Sequence, residues 1–322
     1  LGWGFEVDGG ATLGLVTSLL GPQRFDPTVA SVLDDLGVDG SVAVVTAGWQ
    51  ERESEDDELQ RHVGRPLEDL GLYGRAEQVH RDDPELFEAL RTRQDRLRDL
   101  QQVYRRRLDP ILSSAREFVS REGDPTLLDP ERDDAIDAVR RLDAHHLRRI
   151  RDVHDRFAER WRTHERPSVA RHRAEIAERL QSAGALLIAG GHVAVLLNRL
   201  RLFGVVELAG EIPVVAWSAG AMALTDRVVL FHDSPPQGAG NAEILDAGLG
   251  RCPGVVALPH AERRLRLGDP TRVSILARRM TPSVAIAFDR GARVDFAGTA
   301  WRAEPATRAL HPTGDVVEVA SW

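Results

Sequence analysis

The sequence predicts an open, mostly parallel, doubly wound α/β sheet that carries a long inserted α-helical hairpin. Three observations predict this fold. Short apolar runs alternate with helical segments in both outer parts of the chain, small residues follow several of these runs directly, and the middle of the chain is rich in Arg, Asp and Glu with apolar residues at helical spacing. We expect residues 1–83 and 183–322 to form the α/β domain and residues 84–182 to form the insertion.

The beginning of the chain is typical of a βαβ unit. Residues 13–19 and 41–47 are predicted to be parallel strands, joined by a short helix over residues 27–36 that ends at Gly37. The acidic stretch 51–57 is predicted to start a helix that runs toward Leu70, and residues 72–79 are predicted to form a weak strand.

From Pro84 to about Leu180 the pattern predicts two long helical arms, separated by Gly123-Asp124-Pro125. The apolar residues recur at helical spacing: Leu86, Leu90, Leu97, Leu100, Tyr104, Leu108, Ile136, Val139, Ile150, Val153, Phe157 and Trp161. The ordinary interpretation is a packed appendage with a solvated, charged outer face that includes a surface for homodimerisation; the alternative is a lid or a partner-binding arm. Histidines 145, 146, 154, 164 and 172 do not match the spacing of a zinc motif, so we expect no metal.

The most informative stretch runs from Val214 to Met222. An apolar strand leads into Ser218, and Ala219, Gly220 and Ala221 follow it. A serine at a sharp turn between a strand and a helix needs small neighbours, so the stretch predicts a nucleophile elbow in a relaxed form, with Ala216 where a glycine is common. An ordinary strand-to-helix turn is the alternative.

Two further strand patterns end in residues that suit acyl-transfer chemistry. The apolar run 185–189 leads to Gly190-Gly191-His192, whose backbone N–H groups could form an oxyanion hole, and the apolar run 255–259 delivers His260. Asp233 lies between the serine and the histidine, so the nucleophile, the acid and the base follow the order Ser218, Asp233, His260.

In these blocks the sequence resembles the dipeptidase E (aspartyl dipeptidase) and cyanophycinase family of serine peptidases, which have the class I glutamine amidotransferase-like, flavodoxin-like fold. The resemblance rests on Trp-Ser-Ala-Gly-Ala at 217–221, Ile-Ala-Gly-Gly at 188–191, Asp-Ser-Pro at 233–235 and Leu-Pro-His at 258–260, followed by arginines. It covers residues 183–297 well and residues 13–80 in part. His192 and Val193 differ from the Asn or Asp and the Thr or Gln that are common at these two positions, which lie beside the substrate in that family.

The resemblance implies a Ser218–His260–Asp233 triad, with the backbone N–H groups of Gly191 and Ala219 as the oxyanion hole. It places five side chains near the substrate: His192, Trp217, Arg264, Arg266 and Arg272. Alternatives remain for several of them. Asp246 or Glu243 would serve as the acid if Asp233 is only a turn residue, and His260 would simply cap the end of its strand. Trp217 would pack beneath the pocket, and the arginines would form a solvated helix face.

The composition of the chain argues against several classes of protein. The formal net charge of −8 argues against a general nucleic-acid binder, and one cysteine, Cys252, excludes an internal disulfide framework. No apolar stretch is long enough to span a bilayer, and no basic segment precedes residues 13–16 as in a signal peptide, so we expect a cytoplasmic protein without membrane contact. We expect no cofactor, a small peptide as the substrate, and a homodimer formed through the insertion.

Three functions are compatible with these residues and motifs. The first is a serine exopeptidase or isopeptidase that acts on aspartyl dipeptides or on β-aspartyl-arginine units. The second is a binding or regulatory protein on the same fold that has lost catalysis. The third is a hydrolase or acyltransferase that acts on a non-peptide ester or amide.

Overall fold

The computed structural model describes residues 16–231 and 240–319. The first part of the chain contains short strands and helices and then three longer helices: β1 (Val16–Leu20), α1 (Val29–Asp35), β2 (Val42–Val45), a 3₁₀ turn (Ala47–Arg52), α2 (Asp57–Val63), β3 (Leu67–Asp69), α3 (Leu72–Asp82), α4 (Pro84–Ser120), α5 (Pro125–Trp161), a 3₁₀ turn (Thr163–Glu165) and α6 (Pro167–Ser182).

The second part returns to alternating strands and helices and ends in short strands: β4 (Leu186–Ile188), α7 (Val193–Phe203), α8 (Val205–Leu208), β5 (Val214–Trp217), α9 (Ala219–Leu224), β6 (Arg227–Leu230), β7 (Glu243–Ala247), β8 (Val255–Pro259), α10 (Ala261–Arg264), α11 (Pro270–Met280), β9 (Val284–Phe288), β10 (Arg293–Ala297), β11 (Ala300–Ala303), β12 (Arg308–Leu310) and β13 (Val316–Glu318).

The central sheet has the strand order β11-β10-β1-β5-β4-β2-β3 within the described chain. The neighbours from β1 to β3 pair in parallel, whereas β10 and β11 add an antiparallel edge. Trp217 at the end of β5 pairs with Leu20 of β1, and Ala216 pairs with Ile188 of β4. The mostly parallel α/β fold is therefore confirmed, and the end of β5 lies between the ends of β1 and β4.

Apolar side chains cover both faces of this sheet, as a doubly wound fold requires. On β2, Ala43 and Val45 point into one buried cluster, and Val42 and Val44 point into another. The first cluster includes residues of α3, α6, α7 and α9, and the second includes residues of α1 and α2. Because both faces are buried, the sequences of these strands are continuous apolar runs and do not alternate between apolar and polar residues.

A second sheet has the order β13-β12-β9-β8, in which β8 and β9 are parallel. It meets the central sheet where β1 and β9 end. The N–H of Gly21 donates to the carbonyl of Ala292 at 2.8 Å, and a Cβ on Gly21 would lie 1.9 Å from the carbonyl oxygen of Asp289. This contact brings the carboxyl ends of the parallel strands of both sheets to one edge of the fold.

The long helices α4 and α5 form an antiparallel pair, joined at residues 121–124 as the sequence predicts. Asp124 caps the second helix by accepting from the N–H of Thr126, and Pro125 occupies its first turn. A buried charge network ties this pair to α11. Arg279 donates through Nε to Asp143 at 2.5 Å, and both Arg279 and Asp143 contact the hydroxyl of Tyr104 at 2.7 Å.

The strand predicted over residues 72–79 is wrong, because this segment lies within helix α3. Its buried residues Leu72, Ala76 and Val79 follow helical spacing, not the alternation of a strand. The predicted helix that starts in the acidic stretch is shorter than expected, and β3 follows it. Within residues 16–231 and 240–319, none of the helices is both long enough and apolar enough to cross a membrane.

Candidate active site

Ser218 occupies a strained turn between β5 and α9. Its backbone has φ 52° and ψ −119°, a combination that residues other than glycine rarely adopt. Strand residues Val214 to Trp217 are buried before it, and the residues of α9 are buried after it, whereas Ser218 itself is half-buried. The turn therefore holds the hydroxyl group at the surface end of a rigid strand and helix, where a nucleophile needs to be.

Glycines make this turn sterically possible. A Cβ on Gly220 would lie 2.3 Å from the carbonyl oxygen of Ile188, and a Cβ on Gly190 would lie 2.8 Å from the Cβ of Ser218. Neither position has room for a side chain. The sequence requirement for small residues around Ser218 thus has a direct physical cause in the packing of the loop after β4 against the turn after β5.

The two residues expected to form the oxyanion hole, Gly191 in the loop after β4 and Ala219 at the start of α9, have backbone N–H groups without a backbone partner among the described residues. Gly191 has φ 114°. His192 follows as the N-cap of α7: its Nδ1 accepts from the N–H of Val195 at 3.3 Å, and its side chain is exposed. Its own N–H donates to Gly48 at 2.7 Å.

His260 follows β8 in a left-handed conformation, with φ 58° and ψ 39°. Its N–H donates to the carbonyl of Phe288 at 3.0 Å, which ties the turn to the end of β9. Burial lowers the pKa of the imidazole, and the positive charges of Arg264 and Arg263 lower it further. The lowered pKa favours the neutral imidazole, which is the state in which histidine accepts a proton.

Ser218 and His260 leave the same edge of the fold, although their strands belong to different sheets. Helix α9, which follows Ser218, packs against β8, which precedes His260, and the N–H of Cys252 donates to Leu224 at 2.9 Å. Among the described residues, no side-chain hydrogen bond involves either Ser218 or His260. Catalytic hydrogen bonds often form only once substrate is bound, so this arrangement is compatible with a nucleophile and a base.

Asp233, the acid that the resemblance implies, lies outside the described residues. The two alternative acids make other contacts. Asp246 accepts from His154 at 2.8 Å and from Arg201 at 3.0 Å, and Glu243 accepts from Gln101 and Arg105. Both carboxylates bind the helical pair instead of His260, so neither alternative is supported.

The three arginines of interest are divided between two places. Arg264 ends helix α10 and acts on His260 through its charge. Arg266 and Arg272 line a small cavity of about 40 Å³, whose wall includes Arg116 of α4. The insertion thus contributes to the surroundings of Arg266 and Arg272, which the sequence did not indicate.

Trp217 is part of the protein core. Its side chain is 6% exposed and packs with the apolar cluster that contains Leu20, Val44 and Ala189. The expectation that it contacts the substrate is therefore not supported by its burial, and the alternative that it packs beneath the pocket fits the structure. The ring supports the strand that carries Ser218.

Two features near the site were not predicted from the sequence. The carboxylate of Asp289 accepts from the N–H of Glu262 at 3.1 Å, which fixes the turn that carries His260. Gly48 packs against the loop after β4 so closely that a Cβ on Gly48 would lie 2.4 Å from the carbonyl oxygen of Gly190. Asp289 directly follows β9, and Gly48 lies three residues after the end of β2. A position at or just after the carboxyl end of an apolar strand is the signal that would have identified them.

The part of the chain that the structure describes contains no group of three or more His, Cys, Asp or Glu side chains placed to bind a metal ion.

Comparison with known proteins gives structural similarity only. No protein-family model matches the chain, and no curated protein matches it. The chain is similar to the crystal structure of a peptidase from an acI-B1 Actinobacterium, with a TM-score of 0.48 and 13% identity, over 95% of this chain and 97% of that one. It is also similar to a candidate peptidase E protein from Listeria monocytogenes EGD-e, with a TM-score of 0.42 and 10% identity, over 90% of this chain and 98% of that one. Such low similarity carries no information about substrate or catalytic residues.

Proposed function

We propose that the chain is a serine peptidase-like hydrolase that cleaves small peptides, namely aspartyl dipeptides or β-aspartyl-arginine isopeptides. The observation that carries this proposal is the strained backbone of Ser218, held between a buried strand and a helix with a glycine loop packed against it. Strain of this kind costs about 1–3 kcal/mol and is concentrated at functional sites.

The chemistry follows from the residues at the edge of the sheet. The hydroxyl oxygen of Ser218 attacks the carbonyl carbon of the scissile amide while the neutral imidazole of His260 accepts the hydroxyl proton. The N–H groups of Gly191 and Ala219 stabilise the oxyanion. The protonated imidazole then gives its proton to the departing amine, which leaves an ester on Ser218. Water, deprotonated by the same imidazole, hydrolyses this ester.

Asp233 would orient the imidazole and stabilise its charged form. The arginines Arg264, Arg266 and Arg272 supply guanidinium groups, which pair with carboxylates in a bidentate manner. This supports an acidic substrate, such as a peptide with an aspartyl side chain. We propose that His192, which is exposed and follows Gly191, contacts the substrate.

The decisive experiment is incubation with a fluorophosphonate probe, followed by intact-protein and peptide mass spectrometry. We expect labelling at Ser218 in the wild type and none in Ser218→Ala or His260→Ala. Ser182→Ala is the control, because this exposed serine only donates to a carbonyl of its own helix. A folded wild-type protein that takes no label would overturn the proposal and favour a binding protein. Labelling without cleavage of any aspartyl peptide would favour a hydrolase of another amide or ester.

A further inference from the structure

Gln50 shares the unusual backbone of Ser218. Its φ of 60° and ψ of −126° nearly equal the 52° and −119° of the serine. Glutamine has a Cβ and gains nothing sterically from this conformation, which is costly for any residue other than glycine. The strain therefore has to be imposed and compensated by the surrounding structure, and residues of this kind are concentrated at ligand and catalytic sites.

Specific contacts impose the conformation. The hydroxyl of Thr46 donates to the carbonyl of Glu53 at 3.0 Å and closes the turn, and the N–H of Glu53 donates to the carbonyl of Gln50 at 2.9 Å. Two residues before Gln50, the carbonyl of Gly48 accepts from His192 at 2.7 Å. The turn that presents Gln50 is thus fastened to the same glycine loop that packs against Ser218.

The side chain of Gln50 lies at the wall of an open groove. It is half-buried, it forms no hydrogen bond with another described residue, and it lines an open groove of about 900 Å³. Tyr73 and Gln78 of α3 lie on the wall of this groove. The groove is large enough for a dipeptide, and Gln50 connects it to the loop after β4 through Gly48, two residues earlier in the chain.

We propose that Gln50 is a substrate-binding residue whose carboxamide pairs with a terminal main-chain group of the bound dipeptide. The inference rests on the proposed function. A glutamine side chain offers a donor that suits a terminal carboxylate and an acceptor that suits a terminal ammonium. This contact with the main chain leaves selection of the acidic side chain to the arginines. The strained turn fixes the carboxamide beside the glycine loop before the substrate arrives.

Two substitutions separate binding from a purely structural role. Gln50→Gly removes the carboxamide and relieves the strain, whereas Gln50→Ala removes the carboxamide and keeps the strain. We expect both substitutions to raise the KM for the dipeptide Asp-Leu by about tenfold. We expect the same rise in the concentration of Asp-Leu that protects Ser218 from labelling by a fluorophosphonate. We expect only Gln50→Gly to raise the Tm, and both variants to be labelled at wild-type rate, because the small probe does not reach the groove.

Gln78→Ala is the matched control, since this exposed glutamine lines the same groove from the regular helix α3. We expect wild-type values from it. If the Gln50 variants take label and handle the dipeptide like the wild type, the role of Gln50 is refuted while the proposed function stands. If the wild type takes no label, or takes label but neither cleaves nor is protected by the dipeptide, the proposed function fails and the inference fails with it.

Discussion

Gly190 and Ser218 are in such close contact that a methyl group on the glycine would lie 2.8 Å from the Cβ of the serine and 3.5 Å from its hydroxyl oxygen. Unbonded carbon atoms do not approach this closely in proteins. The two loops that carry them are therefore fitted to each other, and the position of the hydroxyl group depends on the absence of a side chain at residue 190.

Gly190→Ala should accordingly displace Ser218. We expect a loss of about a hundredfold in the rate of fluorophosphonate labelling, since a shift of about 1 Å in a reacting group has effects of that size. The protein should remain folded, with a destabilisation of about 1–3 kcal/mol in urea unfolding. Gly268→Ala is the control, because a Cβ there meets nothing within 4 Å. Equal labelling of the two variants would contradict the expectation.

The pH dependence of the labelling rate should follow the protonation state of His260. Its pKa is lowered by burial and by Arg264 and Arg263, so the base loses its proton below the ordinary histidine value of about 6.5. We expect the labelling rate to rise with pH and to reach half its maximum below that value. Arg264→Gln should move this midpoint upward, whereas the distant Arg98→Gln should not. If Arg264→Gln leaves the midpoint unchanged, the result would argue against His260 as the base.

The lowered pKa of His260 also makes the free energy of unfolding depend on pH. An imidazole with a lowered pKa in the folded state takes up its proton more readily when the chain unfolds. The contribution of His260 to folding is thus complete above about pH 6.5 and is lost as the pH falls below it.

The Asp143–Arg279 pair should be a main support of the helical pair formed by α4 and α5. Both residues are 3% exposed, so Asp143→Asn would leave a buried guanidinium without its counter-charge. We expect a destabilisation of about 3–5 kcal/mol, measured by urea unfolding. The exposed pair of Asp95 with Arg98 provides the control, and Asp95→Asn should change stability by less than about 1 kcal/mol. Similar values for the two variants would show that the network contributes little.

Asp69 should make the protein less stable as the pH rises. Burial raises the pKa of its carboxyl to about 6, and the nearby charges of Glu53 and Asp56 raise it as well. Ionisation in the folded state is therefore unfavourable between about pH 4 and 6, and the resulting cost persists above that range. We expect Asp69→Asn to raise the Tm at pH 8 and to have less effect at pH 4, with the exposed Asp57→Asn as the control. A larger gain at pH 4 would reverse the sign and refute the assignment.

The strands that carry Ser218 and His260 could be predicted because their signal is local. Buried parallel strands are continuous apolar runs, and small residues must follow a strained turn, so residues 214–222 and 255–260 were sufficient. The break between the two long helices was equally local, because Gly123 interrupts a helix and Asp124 and Pro125 favour the first turn of the next one. Gly37 ends α1 with a φ of 63°, again as the sequence predicts.

Other features depend on contacts between distant segments and could not be predicted. The strain at Gln50 comes from Thr46, Glu53 and the loop after β4, and no single-sequence pattern reports such packing. Asp246 was a reasonable acid by its place in the chain, but contacts with His154 and Arg201 occupy it. The strand predicted over 72–79 failed for a different reason, since helical spacing of Leu72, Ala76 and Val79 was present and competed with a weak apolar signal.

The anchoring of the helical pair has a consequence for its far end. Tyr104 and Asp143 fix α4 and α5 to the body, and about 24 Å of helix separates Tyr104 from Ser120 at the end of α4. Arg116, one turn before the end of α4, adds a contact with Asn241, and the connection at residues 121–124 beyond it is exposed. A protease that cuts there would produce two fragments that stay associated, so the tip is a site where the chain can be opened, tagged or given new termini without loss of the fold.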